Sequence, residues 1–176
     1  MISIHKIEAS ETAYHTYCEN LLVASFPEQE RRELAQYRDI VLHVETFAAH
    51  IILTENQPSG LINIWNFDNF IFIEHFAIAP EMRNKGIGQQ ALKIISENQN
   101  LPIVLEVELP NDEISQRRIK FYEREGFRLL EYQYKQPPYR EGDNFIPMKL
   151  MVYQNRNTEI DMDRIQATIY RNVYNL

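Results

Sequence analysis

The chain has 176 residues, a formal net charge of −7 and a hydrophobic content of 44%. This length suffices for one domain with a substantial core, and the acidic balance disfavours nucleic acid, whose phosphates need a basic face. Apolar runs stay far below the roughly 20 residues of a membrane-spanning helix, so we expect no membrane partner. The single cysteine, Cys18, excludes an internal disulfide and is expected to be a small buried hydrophobe.

The N-terminal segment predicts a strand followed by helices. Residues Ile2 to Ile7 predict a short strand, and apolar residues at helical spacing predict a helix from Glu11 to Ala24. The charged stretch from Glu28 to Glu33, after Pro27, predicts the start of a second helix with a solvated face. Because Met1 to Lys6 contain no apolar signal core, we expect a cytoplasmic location.

Three strand-like segments follow and predict an antiparallel meander. They cover residues 47–54, 61–67 and 70–79. The breaker-rich stretch from Asn56 to Gly60 predicts the first turn, and Asp68-Asn69 predicts the second.

A glycine-containing turn after the third strand is the most informative feature of the sequence. The run from Arg83 to Gly88 leads from that strand into a predicted helix that includes Gln89. Such a turn leaves backbone N–H groups unpaired at the positive end of a helix dipole, which suits a phosphate group. Gly86 and Gly88 allow close approach of the main chain and positive φ, while Arg83 and Lys85 add positive charge. The turn therefore predicts a pyrophosphate site.

The spacing of this turn differs from the commoner phosphate-binding loops. Two glycines preceded by basic residues match neither the P-loop nor the three-glycine dinucleotide fingerprint, and no Ser or Thr follows a Gly-Lys pair. Gln-or-Arg, two residues, Gly, one residue, Gly-or-Ala is the pattern of the GNAT superfamily of acetyl-CoA-dependent N-acetyltransferases. The chain resembles that family at Arg83, Gly86 and Gly88. A glycine-rich helix start that binds nothing is the alternative interpretation of this motif taken alone.

A second segment strengthens the resemblance. Residues 119–127 resemble the family's aromatic-Tyr-Glu-x-x-Gly-Phe segment, at the end of a helix predicted from Ser115 to Arg124. Gly126 is expected to end this helix, and Phe127 to begin the next strand. Without the first motif, Tyr122 would read as an ordinary core aromatic.

The remaining segments alternate strands with helices. Ile103 to Val107 predicts a buried strand, and two more strands are expected near residues 128–135 and 146–153. Residues 158–176 predict a C-terminal helical extension of the same domain, with Thr158 as a plausible N-cap. This extension packs either in cis or against a second subunit of a homodimer.

The resemblance implies a fold and an activity for the whole chain, residues 1–176. The fold is a three-layer α/β/α arrangement of the α+β class, with a mixed, mainly antiparallel twisted sheet splayed between its fourth and fifth strands. The activity is transfer of an acetyl group from acetyl-CoA to a primary amine of a small molecule, peptide or protein, in a direct ternary complex without a metal. The alternative is a non-catalytic acyl-CoA-binding sensor or docking module of the same fold.

The resemblance also implies which residues contact the co-substrate. The pantetheine arm is expected to insert between the splayed strands, where a backbone N–H polarises the thioester carbonyl as an oxyanion hole does. Ser115 stands where many members carry a cofactor-contacting Asn, and it is either an N-cap, which we favour, or a cofactor donor. The expected cofactor-binding residues are Phe76, Ala77, Ile78, Arg83, Asn84, Lys85, Gly86, Ile87, Gly88 and Ser115.

Two residues are predicted to move protons. Tyr122 falls where many members place the tyrosine that protonates the leaving thiolate, or it packs on the cofactor without proton transfer. Glu74 interrupts an apolar strand near the splay and is predicted to be the base, with a structural hydrogen-bonding role as the alternative. Glu106 and Glu108 are further candidates. Strict alternation would point His75 to the opposite face from Glu74, unless a bulge intervenes.

The acceptor site is the least defined by sequence. The resemblance implies that residues 26–34 and the loop 137–144 bind the acceptor amine. Tyr139 and Arg140 would suit an anionic group there, whereas Glu28, Glu30 or Glu141 would suit a cationic one. The identity of the acceptor is left open.

Overall fold

The computed structural model describes residues 1–97, 99–154 and 160–176. Within these residues the chain forms five α-helices and eight strands. In chain order they are β1 (Ile2–Lys6), α1 (Thr12–Ser25), α2 (Leu34–His43), β2 (Phe47–Thr54), β3 (Gln57–Asn66), β4 (Ile71–Ile78), α3 (Ile87–Glu97), β5 (Ile103–Glu108), α4 (Glu113–Arg124), β6 (Arg128–Leu129), β7 (Tyr134–Gln136), β8 (Ile146–Tyr153) and α5 (Met162–Val173). Short 3₁₀ turns at Glu28–Glu30 and Pro80–Met82 precede α2 and α3.

The strands form one mixed sheet in the order β1-β2-β3-β4-β5-β8-β6, and β7 also pairs with β8. The β4–β5 pair is parallel, and the other strand pairs are antiparallel. The predicted mainly antiparallel sheet is therefore confirmed.

The parallel pair at the centre of the sheet is short. Residues 71–73 of β4 pair with residues 103–105 of β5, and the register then ends. Beyond this point β4 continues in its pairing with β3, while β5 continues in its pairing with β8. The two strands therefore splay apart, as predicted, and one edge of β4 faces the gap between them.

A β-bulge lies at the start of the splay. Asn63 of β3 pairs with His75, but the next residue, Ile64, pairs with Ile73, so that Glu74 is an extra residue in β4. Tyr139 contacts both Glu74 and His75, which places these neighbours on the same face of the sheet. The bulge thus overrides the strict alternation of the strand.

Helices cover both faces of the sheet. One core joins α1, α2 and α5 to the sheet, and it includes Cys18, the residue predicted to be a buried hydrophobe. The other core joins α3 and α4 to the opposite face. Helix α5 packs in cis, the first of the two predicted alternatives, because Ile165, Ile169 and Val173 are buried in the first core. Within the described residues no helix combines the length and apolar character that crossing a membrane requires.

The first predicted turn needs correction. Residues Glu55 and Asn56 both have positive φ, 51° and 64°, and they connect β2 to β3 as a two-residue hairpin loop of the type I′ kind. Residues 57–60, predicted as turn, begin strand β3 instead, and a register shift between Ile52 and Leu53 accommodates the breakers there. The tight Glu-Asn loop was missed because its more conspicuous neighbours are Pro58 and Gly60.

Two predictions in the last third also change. The strand predicted over 128–135 is two short strands, β6 and β7, with residues 130–133 outside both. Thr158, the predicted N-cap of the last helix, lies outside the described residues. Helix α5 begins at Met162, where the Asp161 side chain accepts the Arg164 N–H at 3.0 Å.

Candidate active site

A cleft of about 760 Å³ opens where β4 and β5 separate. Its walls include the splayed part of β4, the turn before α3, the first residues of α3, the outer part of β5 and one side of α4. The cleft brings together the two predicted motifs and Glu74. Of the predicted catalytic and cofactor-binding residues, only Lys85 and Ser115 are absent from its lining. The predicted acceptor residues outside the lining are Glu28, Tyr139, Arg140 and Glu141.

The turn that leads into α3 adopts the backbone conformation that its glycine predicts. Asn84 and Gly86 have φ values of 61° and 72°. The Gly86 carbonyl accepts the N–H of Gln90 at 3.1 Å, so the helix begins immediately after the turn. N–H groups in the first turn of a helix have no acceptor within that helix, and they lie at the positive end of its dipole. This end of the cleft can therefore hold an anion.

Gly88 keeps the space beside α3 open. A Cβ atom at this position would lie 3.4 Å from Cζ of Phe121, and 3.6 Å from both Cγ1 of Ile78 and Cζ of Phe76. A larger side chain would extend into the gap between β4 and α4. Gly88 thus leaves room for a ligand, whereas Gly86 allows the left-handed backbone conformation of the turn.

The two basic residues of the turn lie at the surface. Nε of Arg83 donates to the carbonyl oxygen of Ile78 at 3.0 Å, which ties the turn to the end of β4. Lys85 is exposed, with Nζ 3.7 Å from Sδ of Met82. Both cations stand next to the N-terminus of α3, where they add to its positive potential.

The second motif forms a helix end that fixes Tyr122. The Phe127 N–H donates to the Tyr122 carbonyl, the Gly126 N–H donates to the Glu123 carbonyl, both at 3.0 Å, and Gly126 has φ +88°. This is a Schellman motif, and the accompanying apolar contact is that between the rings of Tyr122 and Phe127, whose centroids lie 5.6 Å apart. The Tyr-Glu-x-x-Gly-Phe spacing therefore has a physical reason. It ends α4 and holds Tyr122 in the cleft wall.

The side chain of Tyr122 is buried in the cleft wall. The residue is 7% exposed and lines the cleft. Burial raises its pKa to about 12, while Arg118 acts to lower this pKa and Glu108 to raise it. The phenol is therefore protonated at neutral pH, as a proton donor must be.

The prediction that Ser115 is the N-cap of α4 is wrong. Asp112 is the N-cap, and its carboxylate accepts the N–H groups of Ile114 and Ser115, each at 2.8 Å. Ser115 is the third helical residue, and its hydroxyl completes a capping box with the backbone of Asp112. Asp followed three residues later by Ser is a signal of this cap that the sequence contained. The predicted cofactor contact of Ser115 stays a prediction.

Glu74 is held by three donors. Its carboxylate forms an ion pair with Arg32 and accepts hydrogen bonds from Nε1 of Trp65 at 2.7 Å and from the Tyr139 hydroxyl at 2.8 Å. The side chain is only 1% exposed. The Arg32 guanidinium also lies over the Tyr139 ring, 4.8 Å from its centroid, and donates to the Val173 carbonyl. These contacts occupy the Glu74 carboxylate. They are what the alternative to the predicted base role, a structural hydrogen-bonding role, would require.

His75 is a neutral, buried imidazole. Its Nε2 donates to the Glu30 carbonyl at 2.9 Å, and the Phe26 ring packs against it edge-on. Burial lowers the pKa of His75 to about 3. The histidine therefore connects β4 to the 3₁₀ turn at Glu28–Glu30 without carrying charge.

Glu106 lies on β5 at the start of the splay and has different partners. Its carboxyl accepts hydrogen bonds from the hydroxyls of Tyr134 and Tyr174, the latter at 2.8 Å. In the described part of the chain it has no ion-pair partner. Burial raises its pKa to about 7, although both tyrosine hydrogen bonds act to lower it. Glu106 lines the cleft and can gain or lose a proton near neutral pH.

Sequence reasoning missed most of the residues that surround these two carboxyls. Arg32 lies in a stretch interpreted as a solvated charged face, yet its side chain is buried. Tyr139 was assigned to an acceptor-facing loop, but its hydroxyl turns to Glu74. Tyr134, Gln136 and Tyr174 carry no local motif, because their roles depend on contacts between distant parts of the chain.

Comparisons with known proteins bear on this cleft. A family model described as an acetyltransferase (GNAT) domain matches residues 45–129. A structure from Bacteroides thetaiotaomicron, assigned to the GNAT family of acetyltransferases, is 42% identical, covers 99% of each chain and superposes with a TM-score of 0.93.

More distant matches agree with this result. A GNAT acetyltransferase from Elizabethkingia anophelis with acetyl-CoA bound is 21% identical, covers 87% of this chain and 97% of its own, and has a TM-score of 0.58, a likeness of fold. The Bacillus subtilis protein YjbC, named as an acetyltransferase, is 37% identical over 65 residues, 35% of this chain. That match spans 33% of the length of YjbC.

Proposed function

The chain belongs to the GNAT family of acetyltransferases, and from this premise we propose that it transfers an acetyl group from acetyl-CoA to a primary amine in a direct ternary complex. The observation that carries the proposal is the cleft at the splay of β4 and β5. It extends from the N-terminus of α3 to Tyr122 and Glu106, so it offers an anion site and proton-transferring groups in one space.

In this proposal the co-substrate is held mainly by the main chain. The pyrophosphate binds the N–H groups of the first turn of α3, next to Gly86 and Gly88, with Arg83 and Lys85 adding positive charge. The pantetheine arm lies along the open edge of β4 at residues 76–78, where it takes the place of a neighbouring strand. A backbone N–H on this edge polarises the thioester carbonyl.

The chemical step needs two proton movements. The amine nitrogen attacks the thioester carbonyl carbon and loses one proton to a carboxylate, and the C–S bond of the tetrahedral intermediate then breaks. The departing thiolate takes the proton of the Tyr122 hydroxyl, and the resulting phenolate is reprotonated after release of the products. Burial disfavours the thiolate as well as the phenolate, because both anions form in the same buried part of the cleft. From a neutral amine the products are an amide and free CoA, because the proton taken by the carboxylate balances the proton that restores the Tyr122 phenol. An acceptor that enters as an ammonium ion first releases one further proton to water.

Glu74 and Glu106 are the two candidates for the base. Glu74, the residue predicted from sequence, has its lone pairs engaged by Arg32, Trp65 and Tyr139. Glu106 lacks an ion-pair partner in the described part of the chain, and its pKa of about 7 is near the value at which a base works best at neutral pH. We therefore propose Glu106 as the base and a supporting role for Glu74.

Calorimetry with acetyl-CoA and a thiol-release assay with a panel of primary amines test the proposal. We expect binding of acetyl-CoA and release of free CoA on addition of an accepted amine. Gly88→Leu fills the space beside Phe76 and Phe121 and should abolish binding. Lys93→Leu places the same side chain at an exposed site further along α3, outside the cleft lining, and should bind normally. Binding without thiol release across the panel would instead support a non-catalytic acyl-CoA-binding module.

A further inference from the structure

Gln136, at the end of β7, leaves a buried amide oxygen without a partner. The residue is 3% exposed and lines the cleft. Its Nε2 donates to the Tyr174 hydroxyl at 2.9 Å, whereas its Oε1 is buried with no hydrogen-bond partner among the described residues. Buried acceptors are rarely left unsatisfied in folded proteins, since the desolvation of the group is then uncompensated. An unpaired acceptor in a cleft wall therefore points to a donor on a ligand.

The surrounding hydrogen bonds fix the orientation of this amide. The Tyr174 hydroxyl gives its proton to Glu106 at 2.8 Å, and the Tyr139 hydroxyl gives its proton to Glu74 at 2.8 Å. Both hydroxyls can therefore only accept from a further neighbour. Gln136 must present its NH₂ group to them, and its oxygen is directed elsewhere.

Two carboxyl groups in the same cleft form no ion pair among the described residues. Arg32 pairs with Glu74, and Arg118 pairs with Glu108. In the described part of the chain neither Glu30 nor Glu106, which both line the cleft, has a cation as a partner. Burial and the nearby Glu108 carboxylate raise the pKa of Glu30, so that this group, too, lacks the solvation of a surface carboxylate. A bound cation would give both carboxylates an ion-pair partner.

We infer that Oε1 of Gln136 and the carboxylates of Glu30 and Glu106 bind the acceptor nitrogen, and that the acceptor is a cationic primary alkylamine with no carboxylate beside its nitrogen. This inference rests on the proposed function. An alkylammonium group has three N–H donors, so it can serve the amide oxygen and both carboxylates. An acceptor carboxylate would be repelled by Glu30 and Glu106. Phe26 and Met148 line the same cleft and supply an apolar surface for the alkyl chain.

Steady-state kinetics with butylamine and with glycine test the inference. Gln136→Leu removes the amide oxygen and should raise the KM for butylamine roughly tenfold or more, because a hydrogen bond to a charged donor is lost. The Kd for acetyl-CoA should be unchanged. Gln133→Leu is the matched control, since Gln133 is an exposed residue of the same strand region outside the cleft lining and should leave both constants unaltered. Glu30→Gln should raise the KM for butylamine by roughly the same factor.

The outcomes separate this inference from the proposed function. An unchanged KM for butylamine in Gln136→Leu, or equal kcat/KM of the wild-type protein for glycine and butylamine, overturns the inference while acetyl-CoA binding and thiol release stand. Failure of the wild-type protein to bind acetyl-CoA or release CoA overturns both. If Gln136→Leu shows an altered circular dichroism spectrum, Glu30→Gln decides alone, because Glu30 is only partly buried.

Discussion

The two ends of the cleft are built in different ways. The end proposed to hold acetyl-CoA comes from two continuous stretches, residues 76–90 and 112–127, and depends on backbone N–H groups, two glycines and one helix end. The end proposed to hold the acceptor depends on side chains that meet from distant parts of the chain. These side chains are Glu30, Arg32, Glu74, Glu106, Gln136, Tyr139 and Tyr174.

This difference determines how each end responds to substitution. Backbone groups remain in place when a side chain changes, so a glycine substitution in the turn before α3 should alter acetyl-CoA binding with little effect elsewhere. The acceptor end is a hydrogen-bonded network in which each member satisfies another buried member. Removing one side chain there leaves its partner buried and unpaired, which affects stability as well as catalysis.

The largest expected effect is on stability, at the buried ion pair. Arg32→Ala leaves the Glu74 carboxylate buried without its cation and should lower the free energy of unfolding by about 3–5 kcal/mol. Arg38→Ala is the control, because its pair with Glu19 is more exposed and should contribute much less to the free energy of unfolding. Urea denaturation at neutral pH measures both. Equal destabilisation by the two variants would show that the Arg32–Glu74 pair contributes no more to stability than an exposed ion pair.

Glu106→Gln should lower kcat by roughly 10³-fold, within the range for loss of a general base. In the wild-type protein the rate should rise as the pH increases through about 7, because the Glu106 carboxyl then loses its proton and can accept one. The variant should lack this rise. Glu131→Gln, at an exposed site, should keep it. If Glu106→Gln retains the rise and Glu74→Gln abolishes it, the base is the residue predicted from sequence.

Tyr122→Phe should lower kcat by roughly 10²-fold, because the leaving thiolate loses its proton donor. The Kd for acetyl-CoA should remain unchanged, since the ring keeps its contact with Phe127. Stopped-flow thiol release and calorimetry measure the two quantities separately. A wild-type kcat in this variant would leave Tyr122 with a packing role.

The smallest effect is expected at the turn before α3. Gly86 has φ +72°, so Gly86→Ala introduces left-handed strain of about 1–2 kcal/mol and should weaken acetyl-CoA binding several-fold. Gly142→Ala meets the same kind of strain, at φ +90°, in a loop outside the cleft lining. Its affinity for acetyl-CoA should match that of the wild-type protein. Calorimetric affinities that fall equally in both variants would argue against a binding role of the turn.

The features predictable from the sequence were those set by neighbouring residues. Gly86 in its left-handed conformation, the helix end at Gly126 and the position of Tyr122 depend on spacings of a few residues. The splay of the sheet was expected from the family resemblance that these spacings support. Ser115 was misassigned because a neighbouring Asp competes for the same capping role.

The acceptor end could not be predicted in the same way. The ion pair of Arg32 with Glu74 joins residues 42 positions apart, and the hydrogen bond of Tyr174 with Glu106 spans 68. No local pattern encodes such contacts, because they arise only once α5 and the 137–144 loop pack against the sheet. The bulge at Glu74 likewise depends on the register with β3 and not on β4 alone.

Because of the β-bulge in β4, Glu74 is an extra residue in its strand. Ile71, Ile73, Phe76 and Ile78 all belong to the same core as α3. These four side chains fall on every second position of the strand only if Glu74 is left out of the count. Excising the whole residue would leave an uninterrupted ladder with each later side chain still on its present face. The strand β4 therefore tolerates the loss of Glu74. Its ion-pair partner Arg32, by contrast, would be left buried without a counter-charge.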